Sequence, residues 1–191
     1  QWSNAVQTFT TLIESGNYDL ADDYTTLFYK SNENNIETVF DVEYSADEGG
    51  GYGCLICLEG NLTPGYQGIR GYDGTVYGDG NSYNLPTQDL HDSFEYGDPR
   101  KNATCLNIDQ FISNNSPGSG YNIGGGGHTG FYNNKYIKSA EEMANGIPDN
   151  DLTSGVNYRV IRYSDVLLMA AEANNEVGDP LSMETALDYL N

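Results

Sequence analysis

The chain has 191 residues, enough for one domain, with 28 acidic against 8 basic residues and a formal net charge of −20. Such a surface repels phosphate backbones and anionic headgroups, which argues against a nucleic-acid partner and against docking on anionic lipid. Acidic polysaccharides are poor ligands for it too, unless a local basic patch exists. No apolar run approaches the length of a membrane span. Hydrophobic residues are only 38% of the chain, but tyrosine is abundant at 16 and glycine reaches 23. A core is therefore within reach, and much of the chain must be loop.

From the first residue the pattern is helical. Trp2, Ala5, Val6, Phe9, Leu12 and Ile13 fall on one face, and Ser15-Gly16-Asn17 ends the run. Residues 20–29 repeat the spacing with Leu20, Tyr24, Leu27 and Phe28, which predicts a second amphipathic helix and hence a helical pair over 1–30. At 36–44 the period changes to two. Phe40, Val42 and Tyr44 alternate with Asp41 and Glu43, which predicts a short strand.

Residues 45–85 are dense in glycine, with Tyr52, Tyr66, Tyr72, Tyr77 and Tyr83 interleaved. A disordered linker is polar and poor in aromatics, so this stretch reads as an ordered excursion with many turns. Loops of this kind carry function on a rigid scaffold. In 86–101, Asp98 can cap a short helix with Pro99 at its first position. His91 reads as a local hydrogen-bonding group rather than a base. A second glycine-rich loop spans 113–130, with Gly124 to Gly127 ahead of His128; it lacks the Gly-Lys-Ser/Thr ending of a phosphate loop. GFYNNKYIK at 130–138 carries Lys135 and Lys138, two of only eight basic residues, and 139–156 reads as a polar connection.

The strongest pattern lies at the end. Tyr163, Val166, Leu167, Ala170, Ala173 and Val177 form one helical stripe. Ser164 or a neighbour caps its start, Asp165 suits the positive end of the helix dipole, and Gly178 supplies a left-handed stop. Ser182 opens a second stripe of Met183, Ala186, Leu187 and Leu190. Two helices joined by a short turn make a hairpin of the helical-repeat type. Arg162 and Asp165 are placed for a helix-local ion pair, and Arg159 for a structural role at the junction. The expected fold class is mainly α: helical hairpins like those of tetratricopeptide repeats, with a long, irregular, loop-rich excursion carrying short strands. We expect one domain made of a helical repeat at 1–30, an excursion at 31–156 and a hairpin at 157–191.

The run VIRYSDVLLMAAEANNEVG at 160–178, with the AL-YLN text that closes the chain, resembles the signature helix pair of the SusD/RagB family. LIESGNYDLADDYTTLF at 12–28, NIETVFDVEY at 35–44, the Asp98-Pro99-Arg100 triplet and GFYNNKYIK extend the resemblance. Ala170 and Asn174 depart from it, standing where an aromatic residue and a leucine are more usual. Members are surface nutrient-binding lipoproteins of the Bacteroidetes outer membrane. The resemblance implies a chain held on the outward face by an N-terminal lipid outside this sequence, and a partner, a TonB-dependent transporter of the SusC type. It implies capture without covalent chemistry. Both ends read as cut within helical repeats, and family members are longer, so a fragment is expected.

A sugar ring offers a flat C–H face to an aromatic ring, and its hydroxyls need planar polar partners; tyrosine supplies a face and a polar tip. The candidate glycan-binding residues are Tyr52, Tyr66, Arg70, Tyr72, Asp73, Tyr77 and Asn81, with Gln67 and Asn84 interspersed. Arg70 stands alone as a basic residue between Asp41 and Asp98, and binds ligand or pairs with Asp73. The plain alternative is that these tyrosines pack the excursion. No cofactor is expected, although Asp73, Asp79 and Asn81 could offer oxygen ligands to calcium; the EF-hand pattern is absent. Asp149 and Asp151 give a similar signal.

Cys54 and Cys57 have metal-ligand or redox spacing, but zinc needs further ligands, and Cys105, His91 and His128 lie at irregular distances. A disulfide involving Cys105 is the stronger reading for an exported protein, and apolar packing the plain one for any cysteine left over. No spacing singles out the carboxylate pair of a glycosidase. A glycan hydrolase, a peptide-binding relative and a purely protein-binding helical scaffold remain the alternatives.

Overall fold

Small side chains decide the helical part of the fold. The computed structural model describes residues 1–46, 60–123, 128–137, 139 and 154–191. It divides into two compact units, one of Gln1–Asp22, Asn34–Val42 and Arg159–Asn191, the other of Asp23–Glu33 and Glu43–Tyr158.

In the first unit, helix α6 (Tyr163–Val177) packs against both α1 (Trp2–Glu14) and α7 (Pro180–Leu190). It buries Tyr163, Val166, Ala170, Ala171, Ala173 and Asn174, whereas α1 buries no residue fully and α7 only Ala186. Small buried alanines suit the close packing of a helix with two neighbours. Asn174, where resemblance leads one to expect leucine, is accommodated because its amide donates to the Ala170 carbonyl at 2.9 Å. Gly178 takes the left-handed stop with φ 77°. The next helix starts earlier than expected: Asp179 caps it, accepting the Leu181 and Ser182 N–H groups, so Ser182 lies inside the first turn and Pro180 opens the helix. The start of α6 is held by Arg162 rather than Ser164, the Asp165 carboxylate accepting the Arg162 N–H at 2.8 Å.

Strands β1 (Thr38–Val42) and β4 (Tyr158–Arg162) pair in a two-stranded sheet. Their charged side chains turn inward and meet. The buried Glu37 carboxylate accepts from Arg162 Nη1 at 3.0 Å, Ser164 Oγ at 2.8 Å and the Ala21 N–H at 3.1 Å. Arg159 faces Asp41 with Nε to Oδ2 at 3.6 Å, both side chains almost fully buried. Arg159 is thus structural, as its place at the junction suggests. Arg162 also approaches Asp165, at 3.7 Å.

The helix expected over 20–29 does not form. Acidic side chains there bind the backbone locally: Asp19 Oδ1 accepts the Leu20 N–H, and Asp23 Oδ1 accepts both the N–H and the hydroxyl of Thr25. This competition breaks the helix into short 3₁₀ turns at Tyr24–Thr26 and Lys30–Asn32.

The second unit carries α2 (Thr63–Gln67), α3 (Gln88–Ser93), α4 (Pro99–Thr104), β2 (Cys105–Asn107), α5 (Ile108–Asn115) and β3 (Phe131–Asn133). Strands β2 and β3 run antiparallel with Leu106 opposite Tyr132. Thr87, Asp98 and Asn107 each cap the helix that follows them with a side-chain oxygen. The core is Ile69, Tyr72, Ile108 and Tyr132, with Tyr77, Leu106, Phe111 and Ile112 packed on it. Cys105 is a buried free thiol, which corrects the expected disulfide; Cys54 and Cys57 lie outside the described residues. No helix among the described residues is long and apolar enough to cross a membrane.

Candidate functional site

Glycine brings the two halves of the excursion together. Gly68 and Gly80 sit backbone to backbone; a Cβ on Gly80 would lie 2.4 Å from the Gly68 backbone. No other residue type fits there. Around this crossing the chain doubles back. The Asn81 N–H donates to the Gly65 carbonyl, Ser82 to Gly68 and Tyr83 to Tyr66, at 3.0, 2.9 and 2.8 Å. Ser82 and Asn84 take left-handed backbone with φ 57° and 56°. Ser82 then locks the turn, its Oγ accepting the Arg70 N–H at 3.1 Å and meeting the Tyr132 hydroxyl at 3.2 Å.

The outcome is a pair of rings. Tyr66 and Tyr83 stand with centroids 6.0 Å apart and planes tilted by 48°. With Thr63, Gln67 and Asn84 they line a shallow pocket of about 260 Å³. Tyr83 is 56% exposed, a large value for an aromatic ring. Gln67 Oε1 is buried and has no hydrogen-bond partner among the described residues. A buried acceptor left in that state is costly.

The other candidates are divided. Tyr72 belongs to the core, its hydroxyl donating to Ser116 Oγ at 2.8 Å. Tyr77 packs on that core, its ring 4.9 Å from Phe111 and its hydroxyl donating to Asn134 Oδ1 at 3.2 Å. Burial, aided by Tyr29 and Tyr72, pushes its pKa up to about 12. Arg70 is turned to the loop, Nη2 donating to the Asn81 carbonyl at 3.0 Å. Asp73 accepts the Gly120 N–H at 2.6 Å, and Asp79 accepts those of Gly71 and Gly80. Arg70, Asp73, Asp79 and Asn81 therefore tie the loop together. Tyr52, Asp149 and Asp151 lie outside the described residues. Among the described residues no group of three or more His, Cys, Asp and Glu is placed to share a metal ion.

Two histidines have local partners. His91 Nδ1 is 2.8 Å from Asp92 Oδ1, and its ring stacks on Phe131 at 4.3 Å. His128 Nε2 lies 3.4 Å from the Tyr121 hydroxyl, which donates to Asp109 Oδ1 at 3.0 Å. Burial and the Asp109 carboxylate push the Tyr121 pKa up to about 12. Tyr83 is the site residue most easily passed over from sequence. It lies 17 residues from Tyr66 in the chain, and the Gly68–Gly80 crossing with the backbone bonds around it joins them.

The family model for the SusD family matches residues 15–191. No curated protein sequence matches the chain. Among solved structures, surface glycan-binding protein A from Bacteroides thetaiotaomicron, in complex with laminarihexaose, is 25% identical with a TM-score of 0.83, covering 98% of this chain and 42% of that one. A laminarin-binding SusD-like protein is 29% identical with a TM-score of 0.76, covering 91% of this chain and 38% of that one. A SusD superfamily protein from Parabacteroides distasonis ATCC 8503 is 27% identical with a TM-score of 0.60, covering 100% and 37%. This chain thus spans roughly two-fifths of their length. With a family match running from residue 15 to the last residue, terminal helix pair included, the chain belongs to the SusD family.

Proposed function

We propose that the protein binds a glycan without cleaving it, through the Tyr66–Tyr83 pocket. The observation that carries this reading is the Tyr66–Tyr83 ring pair, with Tyr83 exposed, in a pocket that Gln67 and Asn84 also line. The tilted rings offer apolar faces to the C–H face of a sugar, and Gln67 and Asn84 offer amide groups to its hydroxyls. The described lining of the pocket contains no carboxylate, so the acid and nucleophile of a glycosidase are not supplied there. Two similar structures bear names that refer to laminarin or laminarihexaose, which makes a laminarin-type glucan the first ligand to try.

Family membership supports the wider setting. The protein acts at the outer-membrane surface, anchored through an N-terminal lipid outside this chain. It passes its glycan to a TonB-dependent transporter of the SusC type. Capture is of modest affinity, since release is part of the task.

Calorimetry with laminarihexaose tests the binding reading. Binding by the wild-type protein and a fall of about tenfold or more in Tyr66→Ala are expected. The same incubation should release no new reducing ends. Hydrolysis above a blank would contradict the binding reading, and so would equal affinity in the variant.

A further inference from the structure

Two of the eight basic residues of this acidic chain, Lys30 and Lys135, line one cavity in the second unit. A separate cavity of about 600 Å³, within the usual range of small-molecule sites, is walled by Phe28, Tyr29 and Tyr77 and edged by Lys30, Lys135 and Asn134. The arginines are engaged elsewhere: Arg100 with Asp98, Arg159 with Asp41, Arg162 with Glu37, and Arg70 on a carbonyl. Lys30 and Lys135 have no carboxylate in ion-pair contact among the described residues. Rings hold Lys135 instead, its Nζ 4.9 Å from the Phe28 centroid and 5.9 Å from that of Tyr24. Lys30 reaches across Gly155, where a Cβ would lie 2.6 Å from its Nζ. Two lysines thus line one aromatic-walled cavity in a protein of net charge −20.

We propose that this cavity is a second sugar site, distinct from the Tyr66–Tyr83 pocket, and that it takes a ring bearing a carboxylate, a uronic acid. Each ammonium supplies a charge-assisted hydrogen bond to the carboxylate. Tyr29, half exposed, and Tyr77 supply faces for the ring. The Tyr77 hydroxyl is anchored on Asn134, so its ring is fixed before a ligand arrives. That the ligand is a sugar rests on the proposed function; that it is anionic rests on the lysines alone.

Calorimetry with trigalacturonate and its neutral methyl ester tests this, run beside laminarihexaose so that the two readings fail separately. The acid form should bind and the ester should bind at least tenfold more weakly. Lys30→Gln and Lys135→Gln should each weaken the acid form about tenfold, the loss of one charged hydrogen bond. The double Lys→Arg variant should keep affinity, and laminarihexaose binding should not change in any of them. Far-UV circular dichroism identifies a variant that has failed to fold, and the ester comparison on the wild type does not depend on any variant. No binding of trigalacturonate by the wild type, equal binding of acid and ester, or lysine variants that fold and bind as well as wild type would each overturn the proposal.

Discussion

The two units of this chain reach order by different means. Around α6, order comes from regular elements: a helix stripe filled with alanine, and buried charges that meet their opposites. In the excursion, order comes from an aromatic core and from backbone passing close to backbone. The first route leaves a periodic trace in sequence. The second depends on contacts between residues far apart, and it is the one that builds the pocket. The proposed site thus belongs to the region ordered by remote contacts, in line with the tendency of loops to carry function.

The largest effect should follow from breaking the first unit. Glu37 holds Arg162, Ser164 and the Ala21 N–H together. Glu37→Ala leaves a mostly buried guanidinium without its closest carboxylate, a change that costs about 3–5 kcal/mol. Urea denaturation followed by far-UV circular dichroism measures it; a loss below about 1 kcal/mol would show that the buried charges do little.

The excursion is next. Gly80→Ala places a Cβ against the Gly68 backbone and should cost about 1–3 kcal/mol through overpacking. It should also weaken glycan binding, because the crossing brings Tyr83 beside Tyr66. Gly120→Ala is the matched control, where a Cβ meets only the Asp73 carboxylate, at 3.7 and 4.0 Å. If both variants bind glycan equally well, the crossing does not shape the pocket. Tyr83→Ala sharpens the contrast from the other side. At 56% exposure its ring contributes little packing, so unfolding should shift by less than about 0.5 kcal/mol while binding falls.

The smallest effect concerns the cap of α7. Hydrogen bonds from the Ser182 hydroxyl, then from backbone N–H groups, hold the Asp179 carboxyl below its ordinary pKa. A depressed folded-state pKa means that this stabilisation is present above the unfolded value, about 3.9, and is lost as pH falls through the folded one. A melting series from pH 7 down to pH 2 should therefore separate wild type from Asp179→Asn most at neutral pH and least at the acid end. A gap that widens toward low pH would contradict the assignment.

Local chemistry explains which features could be read in advance. Gly178 stops α6, and Asp98-Pro99 opens α4, because each signal lies within a few residues of its effect. The α5 helix carried such a signal as well, Asn107 followed by Ile108, Phe111 and Ile112 at helical spacing, but its last turn runs into the glycine-rich stretch from 113 that reads as loop. At 20–29 the apolar spacing points to a helix, and the aspartates that defeat it act through hydrogen bonds that spacing does not register. Tyr66 and Tyr72 look alike in sequence, since tyrosine suits a core and a surface equally well. What separates them is remote: Ser116 receives the Tyr72 hydroxyl, and Tyr83 meets the Tyr66 ring.

A crystal structure of the protein with laminarihexaose bound addresses the central claim most directly. The account predicts a glucose ring lying across Tyr66 and Tyr83, with its hydroxyls bonded to the amide groups that line the pocket. A hexasaccharide held elsewhere, with both rings bare, would contradict it.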